Sequence, residues 1–483
     1  MSARAARRRR FGDTAPPPAS LRVKMHPLRH TTGRLVPPAL ALPFLLASAA
    51  APAAVRLVDP AGNDRNPGTE DRPWKTIQKA ANEAKPGDRV IVRKGTYVER
   101  VQFGVSGQEG LPIRFEALGE VVVQGPPSLQ HWEAVLDIRK RSHLVVKGFR
   151  VQGSNWFGIG IHNSDHVTVQ GCSTADTQAS GIYARDSTEI VVDGNDVTQA
   201  CLYEGDRGGS HECISIASVK GFRVANNRVH DTTGKKHGGE GIDAKESAQN
   251  GVIEKNVVWN LPRLGIYVDS WNGLAKGIVV RKNIVHDCSC GIAVSSEDGG
   301  TVEDVRIENN LVYANRERGI VVSSWVKNGP KRNVAIVNNT CVGNGNRKGN
   351  WGAGIAIEKT DVAGLVVRNN ILSRNAGSPY EDASGKNPVF ERNLLDGGRR
   401  GGRGAGTGAN LEGDPLFVDP EKGDYRLQAG SPAINAGAAE GAPPDDLEDF
   451  PRPYAGGIDL GCYEAHPKGA KPPAPRPPSR PAR

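Results

Sequence analysis

The chain has 483 residues with 59 glycines, 33 prolines and only 5% aromatics, and no apolar run approaches the ~20 residues of a membrane helix, so a helical membrane protein and a conventional aromatic-rich core are excluded. The formal charge of +9 suggests nucleic acid until it is divided: residues 1–34 carry a net +8 and residues 467–483 a net +5, which leaves residues 35–466 at −4. A mildly acidic body argues against a nucleic-acid groove, so neither a nucleic-acid partner nor a transmembrane segment is expected.

In chain order, residues 1–54 read as a basic leader and signal peptide. Basic residues precede an apolar stretch from Leu35 to Leu46, and small residues run to Ala54, with cleavage sites after Ala49 or Ala53. Met25 reads as an alternative start. This pattern predicts a secreted or periplasmic protein. Residues 55–100 predict an N-terminal cap and the first rungs: an amphipathic helix from Lys75 to Ala84, a turn at Pro86-Gly87-Asp88 and a strand from Arg89 to Arg93.

Residues 101–375 carry an internal repeat. Asn recurs at one place in short β-like segments, at Asn195, Asn227, Asn256, Asn283, Asn310, Asn339 and Asn370, with spacings of 32, 29, 27, 27, 29 and 31. Between them runs a Gly-Ile phrase or its equivalent, from Gly158-Ile159 through Cys213-Ile214 and Gly241-Ile242 to Gly354-Ile355. A unit of two or three short strands cannot bury its own apolar face, so copies must stack, with Val and Ile inside and Asn at a bend that tolerates left-handed backbone. The fold class is therefore all-β, a right-handed parallel β-helix. Its N-terminal helix is placed to cover the open end. Residues 376–466 read as a Gly/Arg-rich loop followed by a C-terminal capping segment, and residues 467–483 as a disordered Pro-rich tail. The seven cysteines include no CxxC pair, which argues against zinc and leaves disulfide pairing open.

The opening DPAGND with WKTIQKA and GDRVIVRKGTY, the repeated Asn pairs, and the closing GDPLFVDP, SPAINAG and DLGCYE resemble secreted bacterial β-helix proteins of the pectate-lyase-like superfamily over residues 56–465. That resemblance implies the fold; the superfamily holds lyases, hydrolases, epimerases and non-catalytic proteins.

Stacking at the Gly-Ile phrase aligns residues in columns about 4.8 Å apart. One residue before the Gly stand Glu212 and Glu240; two after it stand Asp243 and Tyr267; four after it stand Arg185, Lys245 and Asp269. Four carboxylates and one ammonium thus gather on three adjacent rungs, read as a solvent-exposed patch. Such a cluster suits Ca²⁺, with Glu212, Glu240, Asp243 and Asp269 as ligands. Two long loops, Ala200–His211 and Asp231–Gly239, lie beside it, and His211, His230 and His237 in or beside them are candidates for substrate binding, as is Arg185. Trp271 and Trp325, read as following the column on successive rungs, are candidates for stacking on sugar rings.

The segment Glu240-Gly-Ile-Asp-Ala-Lys245 resembles a stretch of the chondroitinase B and alginate lyase family, in which a calcium-binding Glu stands five residues before the catalytic Lys, and also a calcium-site segment of a pectate lyase family. By that resemblance Glu240 is a metal ligand and Lys245 the base of a β-elimination. The family's assisting Arg is missing from the next rung, Leu-Gly-Ile-Tyr-Val-Asp269, where Arg263 in the loop is the nearest substitute and Tyr267 a further candidate for proton transfer. The resulting expectation is a monomeric, calcium-assisted lyase of an acidic polysaccharide. A metal-free glycoside hydrolase using two of the four carboxylates, and a non-catalytic glycan-binding protein, are the alternatives.

Overall fold

The computed structural model describes residues 53–205, 211–234, 238–346, 348–349, 351–397, 409–454, 456–467 and 469–471. The expected signal peptide, most of the Pro-rich tail and His237 lie outside the described residues. Strands form wherever Val and Ile alternate with polar residues, and each full rung contributes three, as in Gly238–Lys245, Gln249–Glu254 and Val257–Trp259. The first strand of each rung joins a parallel sheet of eleven strands, and the other two join a sheet of twenty-five, counted among the described residues. Pairing is in register: Ile159, Ile182, Ile214, Ile242, Ile266, Ile292, Ile320 and Ile355 form one column. The chain is a parallel β-helix, with these isoleucines buried between the sheets.

The bend after each second strand carries the asparagine ladder. Asn256 donates Nδ2 to Val224 O at 3.0 Å and to Asn283 Oδ1 at 2.9 Å, while its own Oδ1 accepts from the backbone N and Nδ2 of Asn227, both at 2.9 Å. The same arrangement repeats along Asn195, Asn227, Asn283, Asn310, Asn339, Asn370 and Asn393. The left-handed residue is the one before each ladder Asn: Asn226, Lys255, Lys282, Asn309, Asn338 and Asn369 have φ between 54° and 60°. Left-handed tolerance and side-chain pairing, both assigned by sequence to one Asn, are divided between neighbours.

One boundary differs from the sequence reading. Val55–Val58 pairs with Arg89–Val92 at the start of the solenoid, and strands at Ser378–Asp382, Val389–Glu391, Leu394–Asp396 and Leu411–Glu412 continue it past residue 375. The helix spans Ile77–Glu83, with Thr76 Oγ1 accepting from Lys79 N at its start, and buries Ile77, Ala80 and Ala81. The C-terminal segment runs back along the flank of the rungs. Phe417, Tyr425, Leu460 and Cys462 pack on Leu311, Val342, Ile371 and Leu394. Left-handed bend residues hold it: Lys255 and Lys282 bond Asp449 at 2.7 Å, and Asn309, Asn338 and Asn369 donate to the carbonyls of Asp445, Asp459 and Ala438.

All seven cysteines are free and buried. Lys331 is unusual among the core residues: it pairs in register with Val302 and Val362 and is fully buried, with Nζ 2.6 Å from Ser324 Oγ and 2.8 Å from Gly329 O. Burial pushes its amine down to about 8.

Two predictions follow from these contacts. Asn256→Ala removes four buried hydrogen bonds of the ladder and should cost at least about 2 kcal/mol in a denaturant titration. Lys331→Met should be more stable than the wild type at neutral pH. Because the folded-state amine titrates near 8 and the unfolded one near 10.5, wild-type stability recovers as pH rises through that interval, and the difference between the two proteins should shrink by up to about 3 kcal/mol.

Candidate functional site

The outer face of the eleven-strand sheet carries the predicted cluster on His211–Ala217, Gly238–Lys245 and Ile266–Ser270. Register places Glu212 beside Glu240, Ser215 beside Asp243, Ala217 beside Lys245, and Asp243 beside Tyr267. Strict alternation would turn Glu240 into the core. A Cβ at Gly241, however, would meet Val258 Cγ1 and Leu261 Cδ1 at 2.7 and 2.8 Å. Gly241 and Ile242 thus both face inward, the alternation breaks at the Gly, and Glu240 shares the outer side with Asp243 and Lys245.

The patch is buried, which corrects the expectation of a solvent-exposed face. Glu212, Glu240, Asp243 and Asp269 keep 2–4% of their surface. Lys245 Nζ lies 2.6 Å from Glu212 Oε1, so its partner is on the preceding rung, and Arg263 Nε lies 2.6 Å from Glu240 Oε1. One oxygen of each carboxylate, Glu212 Oε2, Glu240 Oε2, Asp243 Oδ1 and Asp269 Oδ1, is buried with no hydrogen-bond partner among the described residues. Buried carboxylate oxygens are ordinarily bonded, so four orphans on three neighbouring rungs mark an unsatisfied polar centre, although no three of these carboxylates bring oxygens within 4.8 Å of one another.

The electrostatics follow from that crowding. Burial pushes Glu240 up to about 7, against the pull of Arg263. Burial, and then the charges of Asp269 and Glu212, hold Asp243 well above the carboxylate range. Asp269 is raised by burial despite Lys245. For Lys245 burial alone favours the neutral amine, but Glu212, Asp243 and Asp269 outweigh it and hold the proton. The protein groups by themselves therefore keep Lys245 as an ammonium.

The other predicted residues surround this centre at different depths. Arg185 Nη1 bonds Glu246 Oε1 at 2.9 Å and Tyr183 Oη at 3.2 Å. Tyr267 is buried and donates Oη to Glu297 Oε1 at 2.9 Å. Trp271 and Trp325 are exposed and stand in one column, on alternate rungs with Glu297 between them, which corrects the reading of successive rungs. Arg263 lines a cleft of about 580 Å³ together with Thr232, Thr233, Asn260, Leu261, Pro262 and Arg316. Its terminal nitrogens have no hydrogen-bond partner among the described residues.

Sequence reasoning missed Glu246 and Glu297, and an aromatic group on the N-terminal side. His211, which adjoins Glu212, has its ring 4.9 Å from Trp156, which in turn meets Tyr203 and His131; the half-exposed Trp132 stands beside them. His162, four residues after the Gly on its own rung, is pushed down to about 4 by burial and by Arg139, and is neutral. Trp132 and Tyr203 come from turns outside the repeat, so no column pointed to them.

Comparison with known proteins agrees with this architecture. The family model of the right-handed β-helix region matches residues 135–328 and 278–395, and the Pel9A-like right-handed β-helix region matches residues 56–206. The chain belongs to the right-handed β-helix family. It is similar to the uncharacterized protein YwoF of Bacillus subtilis (strain 168), at 28% identity over 356 residues, 65% of this chain and 74% of that one. Among solved structures it resembles pectate lyase Pel9A (TM-score 0.55, 16% identity, 86% of this chain and 96% of the other). It also resembles XylC, solved in complex with xylose (TM-score 0.55, 13% identity, 86% and 99%). At these identities the likeness to both structures is one of fold.

A metal-free prediction follows from the ion pairs. Lys245→Met leaves Glu212 and its neighbours without their ammonium, and in chelator it should cost about 3–5 kcal/mol, the range for breaking a buried pair. A denaturation midpoint checks it.

Proposed function

We propose that the chain is a secreted, monomeric enzyme acting on an acidic polysaccharide, a calcium-assisted lyase with its centre at Glu212, Glu240, Asp243, Asp269 and Lys245. The observation that carries the reading is the set of four buried, partnerless carboxylate oxygens on three adjacent rungs. Ca²⁺ suits these donor types, since it takes six to eight oxygen ligands in loose geometry, but no three of the four residues bring ligand oxygens within 4.8 Å of one another, so binding would require the side chains to turn toward a common centre. Those four residues would hold the ion. Bound there, Ca²⁺ would supply positive charge to neutralise a uronate carboxylate and acidify the adjacent carbon-bound proton.

The chain's own residues supply the rest. Lys245 Nζ projects from the same face and is the candidate to accept that proton, as the carbon–oxygen bond to the next sugar breaks and a carbon–carbon double bond forms. Glu212, Asp243 and Asp269 hold its own proton in the metal-free protein, so a base role requires their charge to be offset. Arg263, pinned through Nε to Glu240, offers its free terminal nitrogens to a substrate carboxylate. Arg185, Trp132, Trp271 and Trp325 are placed along the same face for substrate contact.

A hydrolase is the second reading, favoured by the Glu240 carboxyl at about 7, where a general acid can work at neutral pH.

A digestion screen over pectate, alginate, chondroitin, heparin and glucuronan, with calcium or chelator, separates them. The lyase reading predicts calcium-dependent release of products that absorb in the ultraviolet through the new double bond. Products lacking it would establish the hydrolase, and retention without cleavage would establish a binding protein. Lys245→Arg keeps the positive charge but cannot act as base. It should melt within a few degrees of the wild type and lose at least ~10²-fold in turnover; near-wild-type turnover would remove Lys245 from the base role.

A further inference from the structure

The second strand of each rung carries one left-handed residue near its start. In register these positions are His143, His166, Glu189, Gly221, Asn250, Gly277, Asp304, Asn333 and Gly364, with φ from 50° to 70°. Gly, Asn and Asp are the residues that tolerate this conformation at least cost. The backbone therefore accounts for these six of the nine and also admits His, which is enriched in this conformation; the pairing of two imidazoles on consecutive rungs is what sets this end of the column apart.

Those imidazoles are close and oriented. The rings of His143 and His166 stack with centroids 4.7 Å apart and planes 24° from parallel. Asp165, which precedes His166, lies with Oδ2 2.7 Å from His166 Nδ1, and its other oxygen accepts a hydrogen bond from Thr188 Oγ1. One ligand atom from each of His143, Asp165 and His166 lies within 4.8 Å of the others.

We propose that His143, Asp165 and His166 form a binding site for a zinc-class transition-metal dication, separate from the carboxylate centre. Two imidazole nitrogens and one carboxylate oxygen are the donors that Zn²⁺ accepts, with water completing the shell, whereas Ca²⁺ selects oxygen. Donors around tetrahedral zinc sit about 3.4 Å apart for bonds of about 2.0–2.2 Å. Rotation of these partly exposed side chains covers the remaining distance with the backbone fixed by the stack. Thr188 orients the carboxylate from the next rung, as a supporting group does in metal sites. Binding ties two rungs together at the start of their second strands.

Calorimetric titration of the full chain with ZnCl₂, in calcium-containing buffer, tests the site. His143→Asn, His166→Asn and the double variant are the controls, because Asn already occupies this left-handed position at Asn250 and Asn333, so the backbone should be unstrained and zinc-free melting close to wild type. The expected result is one zinc equivalent bound by the wild type, at least tenfold weaker binding in each single variant, and loss of that equivalent in the double variant. The absence of zinc binding in the wild type, or equal binding by wild type and double variant, would overturn the proposal.

Discussion

In-register parallel pairing is the constraint on which the rest of this molecule depends. Once each rung sits directly over the last, every residue meets its counterpart about 4.8 Å away, and a polar side chain at a bend must bond its own image. Asn does so in both directions, because its amide offers a donor and an acceptor. The ladder from Asn195 to Asn393 therefore satisfies buried backbone and side-chain groups together. The preceding residue absorbs the left-handed bend, points outward and is free for another task. In five consecutive rungs, from Lys255 to Asn369, that task is to hold the C-terminal segment along the flank.

The same constraint concentrates chemistry. A residue type that would be unremarkable once becomes a line of charge when neighbouring rungs repeat it, as with Glu212 and Glu240, or a stacked pair, as with His143 and His166. The broken alternation at Gly241 adds Glu240 to a face that already holds Asp243 and Lys245. Burial, and crowding after it, raise Glu240, Asp243 and Asp269, while Lys245 keeps its proton and four oxygens are left unpartnered among the described residues.

The repeat was legible because it is periodic. The Asn spacing and the Gly-Ile phrase defined the rungs, the columns and the membership of the carboxylate cluster, since strand register carries all three. Burial of the cluster was not legible, because it depends on side chains and loops from different rungs closing over one another. Nor was the pairing of Lys245 with Glu212, which a column places one rung away without saying which neighbour the amine will choose. Trp132 and Tyr203 stand in turns that repeat nothing. The flank position of the C-terminal segment depends on contacts more than 100 residues distant in sequence, such as Asn338 with Asp459, for which no local pattern exists.

We propose that the four orphaned carboxylate oxygens converge on a cation. Anomalous diffraction from crystals grown in a lanthanide that substitutes for Ca²⁺ tests it most directly. The account predicts an anomalous peak within about 2.3–2.6 Å of oxygens from Glu212, Glu240, Asp243 and Asp269. A map with no peak among these residues, and with the carboxylates sharing protons with one another, would contradict it.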